Sequence, residues 1–364
     1  MTDRVIRTRD LRIDLVRGLA MLILFSDHVR GNVVARYTPL AIGLSDMSDV
    51  FVFLSGYSCG ISYGYRLAHR GFLNCLKRAW SRAAQIYLLR ILMTVASLII
   101  FLFAAKWDSP YFFGLPWSMD LVRQHPIESL VEIEMCRLEV FQFFVLSMYT
   151  VLILVTPFVV ACIVKLPAAT FASSACLYAM VQILPGRIAL AEPWNSAMYL
   201  NPFAWQVLFF SACSLAVFKS NAFTKTRWAH LDAILCIGIV AVAIGLFWEF
   251  GGLKRQYLDK RDLGFLRLLH FVFVAIIVAS LLPGSQVISR LTFLRPVINC
   301  GRFPLVAYCA GGILAIVGGI ALAAFPKTWW MQLMINLAGW GGCFGATHFW
   351  GRLRRRTDDN GIGN

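Results

Sequence analysis

The stretch "LRIDLVRGLAMLILFSDHVRGN", residues 11–32, decides the fold. Crossing about 30 Å of hydrocarbon at a helical rise of ~1.5 Å per residue takes roughly 20 mostly apolar residues. The segment has that length and an apolar centre, with Asp14 and Arg17 near one end and Asp27, His28 and Arg30 at the other. It reads as a membrane span with charged ends. Similar runs recur along the 364 residues, of which 59% are hydrophobic and 15% charged, with a mean hydropathy of +0.69. That balance excludes an ordinary soluble domain.

The apolar runs are continuous rather than alternating in segments of about ten residues, so helices rather than barrel strands must satisfy the backbone. The expected fold is an all-α, polytopic transmembrane helical bundle. Candidate spans fall at 13–33, 47–65, 84–105, 138–164, 168–185, 200–218, 231–249, 264–282, 298–324 and 329–349. Residues 1–350 read as a single integral-membrane domain and 351–364 as a flexible, basic cytoplasmic tail. The start, "MTDRVIRTRDLRIDLVRGLA", is basic but runs into a full span without a small-residue cleavage pattern, so it reads as a retained first helix. Pro157 is expected to interrupt the fourth span, and "VKLPAAT" to leave only a tight turn before the fifth. The outer segment from Lys106 to Arg137 suits an amphipathic cap.

About ten spans place both termini on one side. Basic residues gather there: Arg4, Arg7, Arg9 and Arg12, then Arg66, Arg70, Lys77, Arg78 and Arg82, and finally Arg352, Arg354, Arg355 and Arg356. Such an excess marks the cytoplasmic face, so the formal charge of +15 is a topology signal and no nucleic-acid partner is expected. The ten cysteines include no C-x-x-C pair and no Cys/His ligand spacing, so no metal site is expected.

Ionisable groups at membrane depth cost roughly 2.5–3.5 kcal/mol each on insertion scales and usually face a bundle interior. Arg17 and His28 are eleven residues apart, so they share a helix face about 16 Å apart in depth. Asp27 points about 100° away from His28 and need not touch it. Asp46 and Asp49 stand at the outer mouth of the second span, Arg267 and His270 in the first turns of the eighth, and Asn201, Trp205 and Gln206 at the start of the sixth. Four helices thus bring polar groups to one depth. Arg17, Arg90 and Arg302 lie towards the opposite, cytoplasmic ends.

Alone, His28 reads as a structural histidine; with Arg17, Asp46 and His270 at matching depths it reads as functional. Arg17 can pair with Asp14, and the long Arg90 side chain can snorkel to the interface. "LSGYSCGISYG", residues 54–64, has the glycine spacing of close helix packing rather than of a nucleotide loop. Ser55 before Gly56 lacks the strand context of a nucleophile elbow.

A neutral imidazole is a natural base for deprotonating an alcohol, and a carboxylate can fix its tautomer, which leaves Asp46, Asp49 or neither as the partner of His28. Arginines suit a phosphate-rich donor. This pattern fits transfer of an activated acyl group to a hydroxyl. Arg-x10-His, Arg17 to His28, resembles the motif of the acyltransferase-3 superfamily. The blocks "DHVRGN", "LSDMSDVFVFLSGYSCGISYG", "LNPFAWQ", "DKRDLGFLRLLH" and "INCGRFPLVAYC" resemble OpgC-type proteins, in order and across nearly the whole chain.

That resemblance implies a bacterial inner-membrane O-acyltransferase, of the kind that succinylates osmoregulated periplasmic glucans. It would move an acyl group from cytoplasmic acyl-CoA, succinyl-CoA or acetyl-CoA, to a hydroxyl of a periplasmic glucan or related saccharide. It carries over His28 as catalytic base, or transient acyl carrier, and Arg17 as its motif partner. From depth and block membership, Asp46, Asp49 and His270 are expected beside His28, and Arg17, Arg90 and Arg302 on acyl-CoA. Arg30, Asn32, Asn201, Trp205, Lys260, Arg261 and Arg267 are expected on the acceptor or acyl group. Val29-Arg30 follows the histidine where a small residue or proline is expected, which leaves the acyl group and acceptor open. No tightly bound cofactor is expected, the lipid bilayer is an obligatory partner, and a homo-oligomer is compatible with the sequence. The competing class is a proton-coupled transporter or flippase, which could use the same line of charges, although no inverted repeat supports it.

Overall fold

The computed structural model describes residues 10–104, 125–134, 143–184, 199–218, 258–325 and 327–360. Among them every regular element is helical. The seventh expected span, most of the 106–137 segment and Arg4, Arg7 and Arg9 lie outside the described residues. Phe72–Ala104, Phe144–Lys165 and Pro304–Ala324 are long and apolar enough to cross a membrane, while Pro202–Val217 and Phe265–Leu281 are apolar but shorter.

Helix α1, Leu11–His28, opens on Asp10, whose side chain accepts from the Arg12 backbone N–H at 3.0 Å. It stops five residues before the expected end of the first span. Val29 turns extended, its N–H closing on the Phe25 carbonyl at 3.2 Å, and Gly31 takes a φ of +82°, a conformation open mainly to glycine. A 3-10 turn, Val33–Tyr37, and a four-residue helix, Pro39–Ile42, lead to α2, Met47–Arg70. Asp46 caps α2 by accepting from the Ser48 N–H at 2.7 Å, while Asp49 accepts from the Asp46 N–H at 2.8 Å. This reciprocal capping box fixes where the helix begins.

Helix α3, Phe72–Ala104, and α4, Phe144–Lys165, pack together. Pro157 does not interrupt α4, which continues through it. Pro157 removes only the N–H that would reach the Ile153 carbonyl, a loss that helices in such bundles tolerate. Only Leu166 separates α4 from α5, Pro167–Ile183. Helix α6, Pro202–Val217, is capped by Asn201 and packs on α2, and α7 is Phe265–Leu281.

The expected 298–324 span is two helices, α8, Arg295–Arg302, and α9, Pro304–Ala324. Proline has no N–H and pushes the preceding residue out of the helical region, and Phe303 accordingly sits at φ −120°, ψ 56°. The last helix, α10, Trp329–Asn360, continues as helix past residue 350.

Two crossings are close enough to exclude side chains. A Cβ on Gly56 or Gly60 would meet the carbonyls of Phe209 and Cys213, so the small-residue face of α2 seats α6, as its spacing predicts. A Cβ on Gly18 or Gly301 would meet the carbonyls of Val297 and Asp14, locking α1 against α8. These contacts hold α1 and α2 in the arrangement that builds the site.

Candidate functional site

The polar cluster lies where the C-terminal end of α1 approaches the N-terminal ends of α2, α6 and α7. His28 is the last residue of α1, and its Nδ1 lies 2.6 Å from the Leu24 carbonyl. A carbonyl oxygen only accepts, so the ring proton sits on Nδ1 and Nε2 carries the lone pair of the neutral ring. The backbone, not Asp46 or Asp49, sets this tautomer. Asp27 points elsewhere, as its angular offset predicts, and accepts from the Thr38 hydroxyl.

Asp46 and Asp49 face cations. Asp46 Oδ2 accepts from Lys260 Nζ at 2.7 Å and lies 3.0 Å from Arg267 Nη2. Arg267 also donates from Nε to Asp49 Oδ1 at 3.1 Å and from Nη2 to Asp49 Oδ2. The fork-like guanidinium engages both Asp49 oxygens, which a lysine could not do. Burial favours the neutral form of Asp46, but the charges of Lys260 and Arg267 outweigh it and hold the carboxyl below the usual carboxylate range. His28 and Asp27 both lie within electrostatic reach of Lys260 and Asp46.

Lys260 arrives on the loop before α7, which is pinned from several sides. Trp205, wholly buried, donates Nε1–H to the Lys260 and Arg261 carbonyls at 3.1 and 3.2 Å. The Asn201 N–H donates to the Arg261 carbonyl at 2.9 Å and its side chain to Asp262 Oδ1 at 2.8 Å. Tyr178 donates to the Leu263 carbonyl at 2.8 Å, and Gln182 to that of Asp262 at 2.7 Å. Leu263 adopts a φ of +47°, which a leucine holds only where its surroundings over-determine it. The Trp205 ring also lies 5.9 Å from the Arg267 guanidinium carbon, within cation–π range. Asn201 and Trp205 thus fix the loop that delivers Lys260. His270, one turn beyond Arg267, pairs through Nδ1 with Ser45 Oγ at 2.8 Å.

Nearer the other end of α1, Arg17 ties three helices together. It donates to the Leu54 carbonyl at 2.8 Å, to Ser58 Oγ and to the Gly301 carbonyl at 3.3 Å, while Asp14 stands at 4.0 Å. Arg90 does not snorkel: it is fully buried in α3, its guanidinium carbon 5.1 Å from the Tyr87 ring centre. Arg302 is exposed at the end of α8, and Arg30 is exposed beyond α1. Arg261 is partly buried in the pinned loop.

Asn32 is buried against α10. Its side-chain N–H groups donate to the Ser26 carbonyl at 2.9 Å and Asn336 Oδ1 at 3.0 Å, and its Oδ1 accepts from Asn336 Nδ2 at 3.0 Å. Sequence reasoning missed Ser45, Thr38, Gln332, Asn336 and Trp340. The last three did leave a signal, a polar stripe at a spacing of four on a helix otherwise rich in apolar and small residues.

Among the described residues, a helical bundle with spans of membrane-crossing length gathers His28, His270, Asp46, Asp49, Lys260 and Arg267 where four helix ends converge, and so reads as a membrane protein with a polar cluster at one end. A family model described as OpgC protein matches residues 9–355, and the chain belongs to that family. No curated protein and no solved structure matches the chain.

Proposed function

We propose that the protein is a multi-pass O-acyltransferase of the bacterial inner membrane that transfers an acyl group, succinyl foremost, from cytoplasmic acyl-CoA to a hydroxyl of a periplasmic glucan or related saccharide. Membership of the OpgC family supports the reaction class. The observation that carries the reading is the His28 tautomer: with Nδ1–H engaged by Leu24, Nε2 is the atom that accepts a proton.

In this reading about ten spans put both termini in the cytoplasm, and the His28 chamber faces the periplasm. The saccharide hydroxyl approaches Nε2 of His28, which takes its proton as the oxygen attacks the thioester carbonyl. The C–O bond forms, the C–S bond breaks, and the CoA thiolate takes the proton back from His28, directly or through water, so that CoA leaves as the thiol towards the cytoplasm and His28 is again neutral. Arg17 and Arg302 serve the phosphate-rich donor, with Arg90 supporting the helix bundle between them. Lys260 and Arg267, held by Asp46 and Asp49, and Arg261 next to Lys260 in the pinned loop give this end cationic groups for an anionic acyl chain or acceptor. His270 and Arg30 line the same end.

The test is to incubate the purified protein with labelled succinyl-CoA or acetyl-CoA and periplasmic glucan. Thioester-dependent label on the sugar supports the enzyme. Gradient-driven movement of an unmodified solute in proteoliposomes, without labelling, would replace it with a transporter.

A further inference from the structure

The polar stripe of α10 has no part in the chemistry above, yet each member touches the chain on one side or the other of His28. Gln332 accepts from the Val33 N–H at 3.1 Å and donates to the Gly31 carbonyl at 3.2 Å. Asn336 and Asn32 exchange two hydrogen bonds of 3.0 Å, and Ser26 Oγ donates to Asn336 Oδ1 at 2.9 Å. Trp340 Nε1 lies 3.2 Å from both the Leu22 carbonyl and Ser26 Oγ.

These contacts enclose the turn that carries the Leu24 carbonyl and the loop that leaves His28. The Ser26 carbonyl, one of those left without a helical partner at the end of α1, is taken by Asn32, whose amide is in turn held by Asn336. Gln332, Asn336, Asn32 and Ser26 are all buried. A buried amide network is costly unless every partner is in place, so it admits one register of α1 against α10 where an apolar seam would admit several. Shape agrees with the hydrogen bonding: Gly339 has no side chain, and the Phe25 ring occupies the space a Cβ would need.

We propose that Gln332, Asn336 and Trp340 are positioning residues for His28, fixing the axial register and rotation of α1's last turn so that Nδ1 meets Leu24 and Nε2 faces the chamber. This rests on the reading of His28 as the base. A displacement of about 1 Å at a reacting group can cost up to ~100-fold in rate, which sets the scale of the expected effect.

The test uses the full chain in detergent with Asn336→Leu, which keeps the volume and removes the amide, and Trp340→Phe, which removes only the indole N–H and so covers the case in which the first variant does not fold. The first readout is 15N-histidine NMR, with the His28 signal identified by its loss in His28→Gln. Wild type is expected to show the Nδ1–H tautomer, and the variants a mixture or a shift towards Nε2–H. The second is kinetics, where kcat should fall roughly 10- to 100-fold while the donor KM changes less than about twofold. Because Asn32 and Asn336 bond each other, the Asn32→Leu/Asn336→Leu pair should lose no more than the larger single effect. A folded variant with the wild-type His28 tautomer and wild-type kcat overturns the proposal. If wild type transfers no acyl group, the functional reading fails, and the NMR arm still decides whether the stripe positions His28.

Discussion

Asp46 and Asp49 stand three residues apart at the start of α2 and cap the same helix, yet they divide the cations between them. Lys260 answers to Asp46, and Arg267 grips Asp49 while touching Asp46. Asp46→Asn isolates the charge, because asparagine keeps the oxygen that caps α2. Breaking a buried pair by removing one partner typically costs about 3–5 kcal/mol, and here part of that loss is softened because Lys260 is partly solvated. The variant should therefore unfold at a lower temperature or denaturant midpoint than wild type at neutral pH. The direction of the Asp46 shift sets the pH dependence. A depressed carboxyl pKa contributes stability that is complete above the unfolded value, about 4, and is lost as pH falls through the folded value. The gap between variant and wild type should stay constant from pH 5 to 8 and narrow only below about pH 4. A gap that narrows near neutrality instead would contradict the assignment.

At the scale of the element, helices meet through glycine. Gly56 and Gly60 admit α6 to α2, and Gly18 and Gly301 join α1 to α8. Gly56→Val must push α6 off α2, and with it Asn201 and Trp205, which hold the Lys260 loop. The expected outcome is a loss of thermal stability in detergent together with loss of activity. Gly341→Ala is the matched control, since nothing lies near the Cβ it would add. Equal stability of the two variants would show that the α2–α6 crossing is looser than the backbone contacts imply. The break between α8 and α9 belongs here too. Pro304 ends one helix and starts the next, which frees the Gly301 carbonyl, at the end of α8, to receive Arg17.

For the whole molecule, reporters fused at the amino and carboxyl ends should both report the cytoplasm; a carboxyl-terminal reporter active only in the periplasm would mean an odd number of spans. Much of the bundle was legible because length and hydropathy respond directly to the thickness of a bilayer. The meeting of α1, α2, α6 and α7 was legible because charge at membrane depth tends to face inward: Asp46, Asp49, Asn201, Trp205, Arg267 and His270 lie at one end, with His28 in electrostatic reach of Asp46. What sequence could not supply was pairing. Asp46 and Asp49 were candidates to orient His28, but a carbonyl four residues back takes that place, and backbone acceptors leave no residue-type signature. Asn32 looked like a ligand for the acceptor because its partner lies 304 residues away. Pro157 looked like a break because local propensity does not weigh how well a packed bundle tolerates one missing helical hydrogen bond.

In the proposed reaction His28 Nε2 takes the proton of the acceptor hydroxyl. That step is tested most directly by measuring transfer of label from succinyl-CoA to glucan with purified wild type and His28→Ala, at matched amounts of folded protein. His28→Ala is expected to transfer no label above background while remaining monodisperse and as thermally stable as wild type. Transfer by His28→Ala at the wild-type rate would contradict it.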